Sequence, residues 1–357
     1  MFQSKWISDL GAATPVEDAA RRVLTIRLEG VRDCLGHALR EPERDIEFVH
    51  QLRVATRRAS AALEIFAECL PPKVRKTTRS TIRNIRRAAG KARDWDVFLA
   101  RLVDDANKVP ADDRATLDML VGYAMAHRLP AQDGLEESCR DYPFGFERCM
   151  AETVSAIGHR GGGKAPLATF VRPLLGRLLD ELNQAAVCDR SNYQHLHDTR
   201  IVGKRLRYAI EMFVDCFGPA LRATLYPAIT EMQQVLGDVN DHFNAVRLYT
   251  VLGAKLGVFL FGHGRRYQSF IDRLKAQHEA QLQEGCQLFQ LWWEGWQKPE
   301  IQMGIADLLS STPATWHLLR ETGNTTAATS QRTEPQTAAP LTATMLTAAM
   351  LNAKRTT

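Results

Sequence analysis

The chain repeats itself at a fixed offset of 147 residues. Val49-His50-Gln51-Leu52-Arg53 is matched by Leu196-His197-Asp198-Thr199-Arg200. At the same offset Arg58, Ala62, Glu64, Phe66, Cys69 and Pro72 recur as Arg205, Ala209, Glu211, Phe213, Cys216 and Pro219, and Arg57 becomes Lys204. Arg75 then pairs with Arg222, Ile82 with Ile229, Gly90 with Gly237 and Asp94 with Asp241, without a gap over some 45 residues. A register held that long identifies two copies of one structural unit.

The unit is helical. No Gly or Pro interrupts Ile46 to Leu70, and Leu, Ala, Arg and Glu dominate that span, a composition that favours helix. Pro71-Pro72 ends this helix and a second starts near Lys73. The connection is so short that the two helices must lie antiparallel and side by side.

Charge is concentrated on the first copy. From His50 to Arg93 twelve Lys or Arg stand against two acids, Glu64 and Glu68, whereas the whole chain carries a net +5. The excess is therefore local and points to a site rather than to a generally basic protein. At about 100° per residue His50, Arg53 and Arg57 share one face of the first helix, with Arg58 beside them. Arg79, Arg83, Arg86 and Gly90 follow the spacing of one face on the second helix, with Arg87 and Arg93 adding charge. An Arg-rich face is often merely solvated, but such a face normally interleaves Glu at i±4. Here the acids are nearly missing, and the mutual repulsion suggests that an anionic ligand compensates.

The second copy keeps the charge on its first helix, where His197, Arg200, Lys204 and Arg207 span about 80° of arc and Arg205 flanks them. Its second helix is thinned: Arg83, Arg86, Arg87 and Arg93 are replaced by Thr230, Gln233, Gln234 and Asn240.

Around the repeats the sequence reads as a flexible leader over 1–14, a helix over Pro15 to Arg40, helices over Ala111 to Arg128 and Leu135 to Ile157, and a Gly-rich linker over 158–164. The linker has neither a preceding strand nor a GxxxxGK[ST] pattern, so it is a poor phosphate loop. A final long amphipathic helix runs from Arg265 to Trp296. The extension over 298–357 turns rich in Thr, Ala, Gln and Pro beyond about 320, a composition that stays disordered. The halves are thus expected at 15–157 and 165–297. Seven cysteines, without CxxC or Cys/His metal spacing, read as thiols, Cys69 and Cys216 as core ones. With no apolar run long enough to span a bilayer, the expected location is cytoplasmic and no membrane partner is expected.

The duplicated H-x-x-R-[VI]-x-x-[RK]-R motif and the following Gly90-Lys91-Ala92-Arg93-Asp94-Trp95-Asp96-Val97 make the chain similar to the CHAD (conserved histidine α-helical domain) family over roughly residues 15–297. The resemblance implies an all-α fold of two pseudo-symmetric bundles around a basic groove or pore. It also implies binding of inorganic polyphosphate and location at polyphosphate granules, with granule-associated proteins as further partners. Arg53, Arg57 and Arg58 match the first motif and Arg200, Lys204 and Arg207 the second, headed by His50 and His197. Ser60 departs from the pattern, lacking the basic residue of Arg207. Some relatives carry a fused triphosphatase-like domain with an ExExK strand, which this chain lacks.

Polyphosphate offers no base edge, so its recognition needs many Arg and Lys with overlapping phosphate contacts. His50 and His197 read as phosphate donors or as satisfied core imidazoles; as metal ligands they read less well, because the basic neighbours repel a cation and few carboxylates lie near in sequence. Asp94 and Asp241 read as partners that orient an Arg. Neither a Ser or Cys nucleophile nor an acid cluster for Mg²⁺ accompanies the motifs, so no enzyme, cofactor or metal site is expected. Nucleic acid is the rival ligand, but from Arg53 to Arg93 the aromatic content is Phe66 alone, and single-strand binders interleave aromatics with their charges.

Overall fold

The computed structural model describes residues 4–40, 47–106, 110–140, 142–158, 164–187, 189, 192–217, 221–259 and 264–310. Among these no strand occurs. The elements are α1 (Val16–Arg40), α2 (Glu47–Ile65), α3 (Pro72–Ala106), α4 (Arg114–Cys139), α5 (Tyr142–Ser155), α6 (Leu167–Ala186), α7 (Tyr193–Phe213), α8 (Tyr226–Phe259), α9 (Gly264–Trp296) and α10 (Pro299–Ser310). The Gly-rich linker falls largely outside the described residues, as does the tail beyond 310.

Two compact units form. Among the described residues, unit 1 holds those within 4–5, 15–164 and 242–281, and unit 2 those within 6–14, 165–241 and 282–310. The units interleave in sequence, because both α8 and α9 contribute residues to each.

In unit 1, α1 packs on α2, α2 on α3, and α3 on α4. Pro72 starts α3, where its missing N–H is no loss and its fixed φ suits the first turn. A core of Phe98 and Leu102 on α3, Leu117 and Leu120 on α4, Tyr249 and Leu252 on α8, and Phe270 and Leu274 on α9 is buried as one cluster. Arg128 on α4 pairs with buried Asp96 on α3 and reaches Gln132, which in turn donates to the Ala38 carbonyl of α1. This network spans Pro130, and α4 runs through the proline as one helix instead of breaking near Arg128 as the sequence suggested. Tertiary contacts on either side hold a turn that local propensity alone would break.

In unit 2, α6 packs on α7. Asn192 caps α7 by accepting the Gln194 N–H at 2.9 Å. Trp292 and Trp296 stack with ring centroids 5.1 Å apart. Their indole N–H groups donate to the Ala228 carbonyl and to Asn183 Oδ1, at 3.2 and 2.8 Å. They are core residues, as are Phe66 in unit 1 and Phe213 in unit 2.

Residues 6–14 are not the flexible leader their sequence suggested. Ile7 and Leu10 are buried, and the Ile7 N–H donates to the Glu211 carbonyl at 3.2 Å. The carbonyls of Ala12 and Thr14 accept from Ala168 and Leu167, satisfying orphan donors in the first turn of α6. Trp6, Ile7 and Leu10 form too short a group to carry a periodic signal, so the sequence offers no pattern for this packing.

Candidate functional site

In unit 1 the basic residues converge on the seam between α2 and α3. Arg53 is central to it. Its side chain retains 24% exposure and its guanidinium lies 4.0 Å from Asp94. It rests against Gly90: a Cβ built there would stand 2.6 Å from Arg53 Nη1. The Arg53 Nε is buried without a hydrogen-bond partner. Burial lowers the Arg53 pKa and the like charges of Arg57, Arg93 and Arg86 lower it further, with Asp94 opposing.

His50 shares this field. Burial holds its pKa below the ordinary histidine value, and the charges of Arg93, Arg57 and Arg53 act the same way against Glu47. The His50 ring is therefore neutral at physiological pH, still with one N–H to donate. His50, Arg53 and Arg57 of α2 thus act on one another and on Arg86 and Arg93 of α3. These cations outnumber the carboxylates acting on them, Asp94 and Glu47, and leave a positive seam.

The other residues singled out by sequence do different work. Arg79 donates to Glu64 at 2.9 Å, with both side chains exposed. Arg83 and Arg87 are exposed on α3. Arg58 turns toward α1, where its charge acts on Cys34; burial drives that thiol up to about 11, with Arg58 opposing.

Unit 2 carries the second motif with altered chemistry. His197 Nδ1 stands 3.5 Å from the Tyr193 hydroxyl, which donates to Asn240 Oδ1 at 2.9 Å. The Arg200 carbonyl accepts from Gln233 at 3.1 Å. Lys204 is half-buried on the same helix. Arg205 donates to Glu181 of α6 at 2.7 Å, the flank that Arg58 occupies toward α1. Arg207 Nε lies 3.7 Å from Glu211, whose carboxylate is 1% exposed and also accepts from Tyr226 at 3.0 Å. Arg207 is thereby the counter-charge of a buried acid.

One correspondence ties the two motifs together. Residues 79 and 226 stand 147 apart, as do 64 and 211. In each unit the second helix donates to the first at this position, from an exposed guanidinium to Glu64 and from a buried phenol to Glu211. A 3-10 turn also follows each motif helix at the same offset, over Ala67–Cys69 and Val214–Cys216. Tyr193 was not among the sequence candidates, although it stands four residues before His197 on the same helical face.

Among the described residues no group of three or more His, Cys, Asp or Glu could hold a metal ion, and no helix is long and apolar enough to cross a membrane.

The CHAD domain family profile matches residues 29–250. Among solved structures, the CHAD domain from the plant Ricinus communis is 25% identical, with a TM-score of 0.61, covering 80% of this chain and 96% of that one. PptA from Streptomyces chartreusis shares the fold at 17% identity and a TM-score of 0.57, covering 79% of this chain and 100% of that one. No curated protein matches the chain.

Proposed function

Because the chain belongs to the CHAD domain family, we propose that its α2–α3 seam binds inorganic polyphosphate and that the protein acts at polyphosphate granules without catalysing a reaction. The carrying observation is the field shared by His50, Arg53, Arg57, Arg86 and Arg93, where Asp94 is the carboxylate acting on Arg53. Bringing these cations together costs free energy in the free protein, and a polyanion threaded past them recovers it. Arg53, Arg57, Arg86 and Arg93 supply guanidinium forks to phosphate oxygens, and neutral His50 supplies a further N–H. The Arg200 and Lys204 row adds a second set of phosphate contacts. Arg79, Arg205 and Arg207 are held by acids and contribute mainly long-range charge.

A second reading, single-stranded nucleic acid, draws on one observation: Tyr193 lies beside His197, with ring centroids 5.9 Å apart. An aromatic next to a basic row is a stacking platform, but the more basic seam of unit 1 has no such partner in its sequence from Arg53 to Arg93 except buried Phe66.

The test is a triple substitution of Arg57, Arg86 and Arg93 by Gln. Each lost phosphate contact should flatten the dependence of log Kd on log salt by about 0.7 to 0.9, so the slope should fall by roughly two to three. Gln233 occupies the Arg86 position of the second copy, so the scaffold already carries Gln there. Arg58→Gln, on the α1 flank, is the matched control and should leave the slope close to wild type. A folded triple variant with the wild-type slope would remove the seam from the binding surface.

A further inference from the structure

Away from the duplicated motifs, two imidazoles of unit 1 face each other. His242 on α8 and His278 on α9 bring their Nδ1 atoms to 2.9 Å, with ring centroids 5.2 Å apart and planes inclined by 38°. Contact between two ring nitrogens requires that one carry a proton and the other present a lone pair. The pair therefore shares a single proton between two nitrogens that would otherwise both be ligands. His278 is 5% exposed and lies nearly parallel to the Tyr249 ring, 5.6 Å away at 18°, which fixes its plane. His242 is half-buried and gives the pair access to solvent. Burial, and after it His242 and Arg101, push the His278 pKa down to about 4, with Gln281 opposing. Gln281, three residues on along α9, lies beside His278 with its Oε1 buried.

We propose that His242 and His278 form a two-imidazole site for a borderline divalent transition-metal ion of the Zn²⁺, Ni²⁺ and Cu²⁺ class, seated between the two Nδ1 atoms in place of the shared proton. Two nitrogens about 2.0–2.1 Å from a tetrahedral ion stand about 3.3 Å apart. The rings point almost straight at each other, so they must part by about 0.4 Å and also tilt until both lone pairs converge on the ion. Imidazole donors select these ions over Mg²⁺ and Ca²⁺, which require oxygen. A metal-bearing histidine is commonly oriented by a carbonyl oxygen on its other side, and the Gln281 side-chain amide is such a group beside His278. Water completes the coordination from the His242 side. Arg101 opposes a cation here, so the site exchanges metal rather than trapping it. Binding displaces the shared proton and ties the α8 and α9 segments of unit 1 together.

Isothermal titration of the full chain, stripped of metal and free of polyphosphate, tests this with ZnCl₂ and NiCl₂. One saturable site is expected, with no response to MgCl₂. His242→Gln, at the half-exposed member of the pair, should keep the fold and weaken Zn²⁺ by at least about tenfold, and His278→Gln should do the same. His195→Gln, on a half-buried histidine of α7 in unit 2 whose Nδ1 meets the Asp189 carbonyl, should bind as wild type does. Wild-type protein without a saturable Zn²⁺ site, or a folded His242→Gln variant with wild-type affinity, overturns the proposal and leaves the pair a hydrogen bond.

Discussion

Gly90→Ala separates the site from the stability of the helix that carries it. Gly90 lies within α3, with no positive φ, so alanine meets no backbone strain. Helix propensity alone favours Ala over Gly by about 1 kcal/mol. The added Cβ, however, would stand 2.6 Å from Arg53 Nη1, and ordinary contact requires about 3.5–4.0 Å. The guanidinium must withdraw by about 1 Å, away from Asp94 and from any phosphate it holds. A hydrogen bond to a charged group contributes about 1.5–3 kcal/mol. Its loss weakens polyphosphate binding by about tenfold to a hundredfold and flattens the salt slope by about 0.7 to 0.9. Stability should rise, or at least hold, while affinity falls. Gly237→Ala is the control, because nothing lies within 4 Å of a Cβ there; it should hold or raise stability and leave binding intact. Urea denaturation and anisotropy of labelled polyphosphate over a salt series measure both quantities. A Gly90→Ala protein that is as stable as wild type and binds with wild-type affinity and slope would refute the placement of Arg53 at the centre of the site.

Two further outcomes follow from the same geometry. Tyr226→Phe removes the phenol that donates to buried Glu211 and should cost about 1.5–3 kcal/mol. Arg79→Gln breaks the exposed pair at the equivalent position and should cost no more than about 1 kcal/mol; urea midpoints in the reverse order would contradict the assignment of Glu211 as the buried member. Polyphosphate should raise the pKa of His50, because it screens the cations that help to depress it. Binding then takes up protons and tightens as pH falls from about 7.5 to 5.5, and His50→Asn should flatten that dependence. Wild-type affinity that is level or weaker on acidification would exclude His50 from the seam.

The helices and the basic face were legible in the sequence because both are periodic. Three-residue and four-residue spacing puts His50, Arg53 and Arg57 on one side of α2, and the structure shows them in one electrostatic field. Periodicity does not reveal which neighbour a flanking residue meets. Arg58 and Arg205 belong to the motif, yet they turn toward α1 and α6, and Arg205 finds Glu181 there. Nor does it reveal which charges are already answered. Glu64 and Glu211 are identical in sequence, but Arg79 meets the first at the surface, whereas Tyr226 and Arg207 bury the second. The packing of residues 6–14 rests on single apolar contacts and backbone hydrogen bonds, which leave no pattern to read.

The most direct measurement is a competition at fixed salt: labelled long-chain polyphosphate on the full-length protein, displaced by unlabelled polyphosphate, single-stranded RNA and single-stranded DNA at matched phosphate concentration. A charge-dense seam whose sequence from Arg53 to Arg93 holds no aromatic but buried Phe66 predicts that polyphosphate displaces at the lowest concentration, with RNA and DNA close to each other and weaker. Displacement by either nucleic acid at a lower phosphate concentration than polyphosphate would contradict the account, and the Tyr193 side of unit 2 would become the principal site.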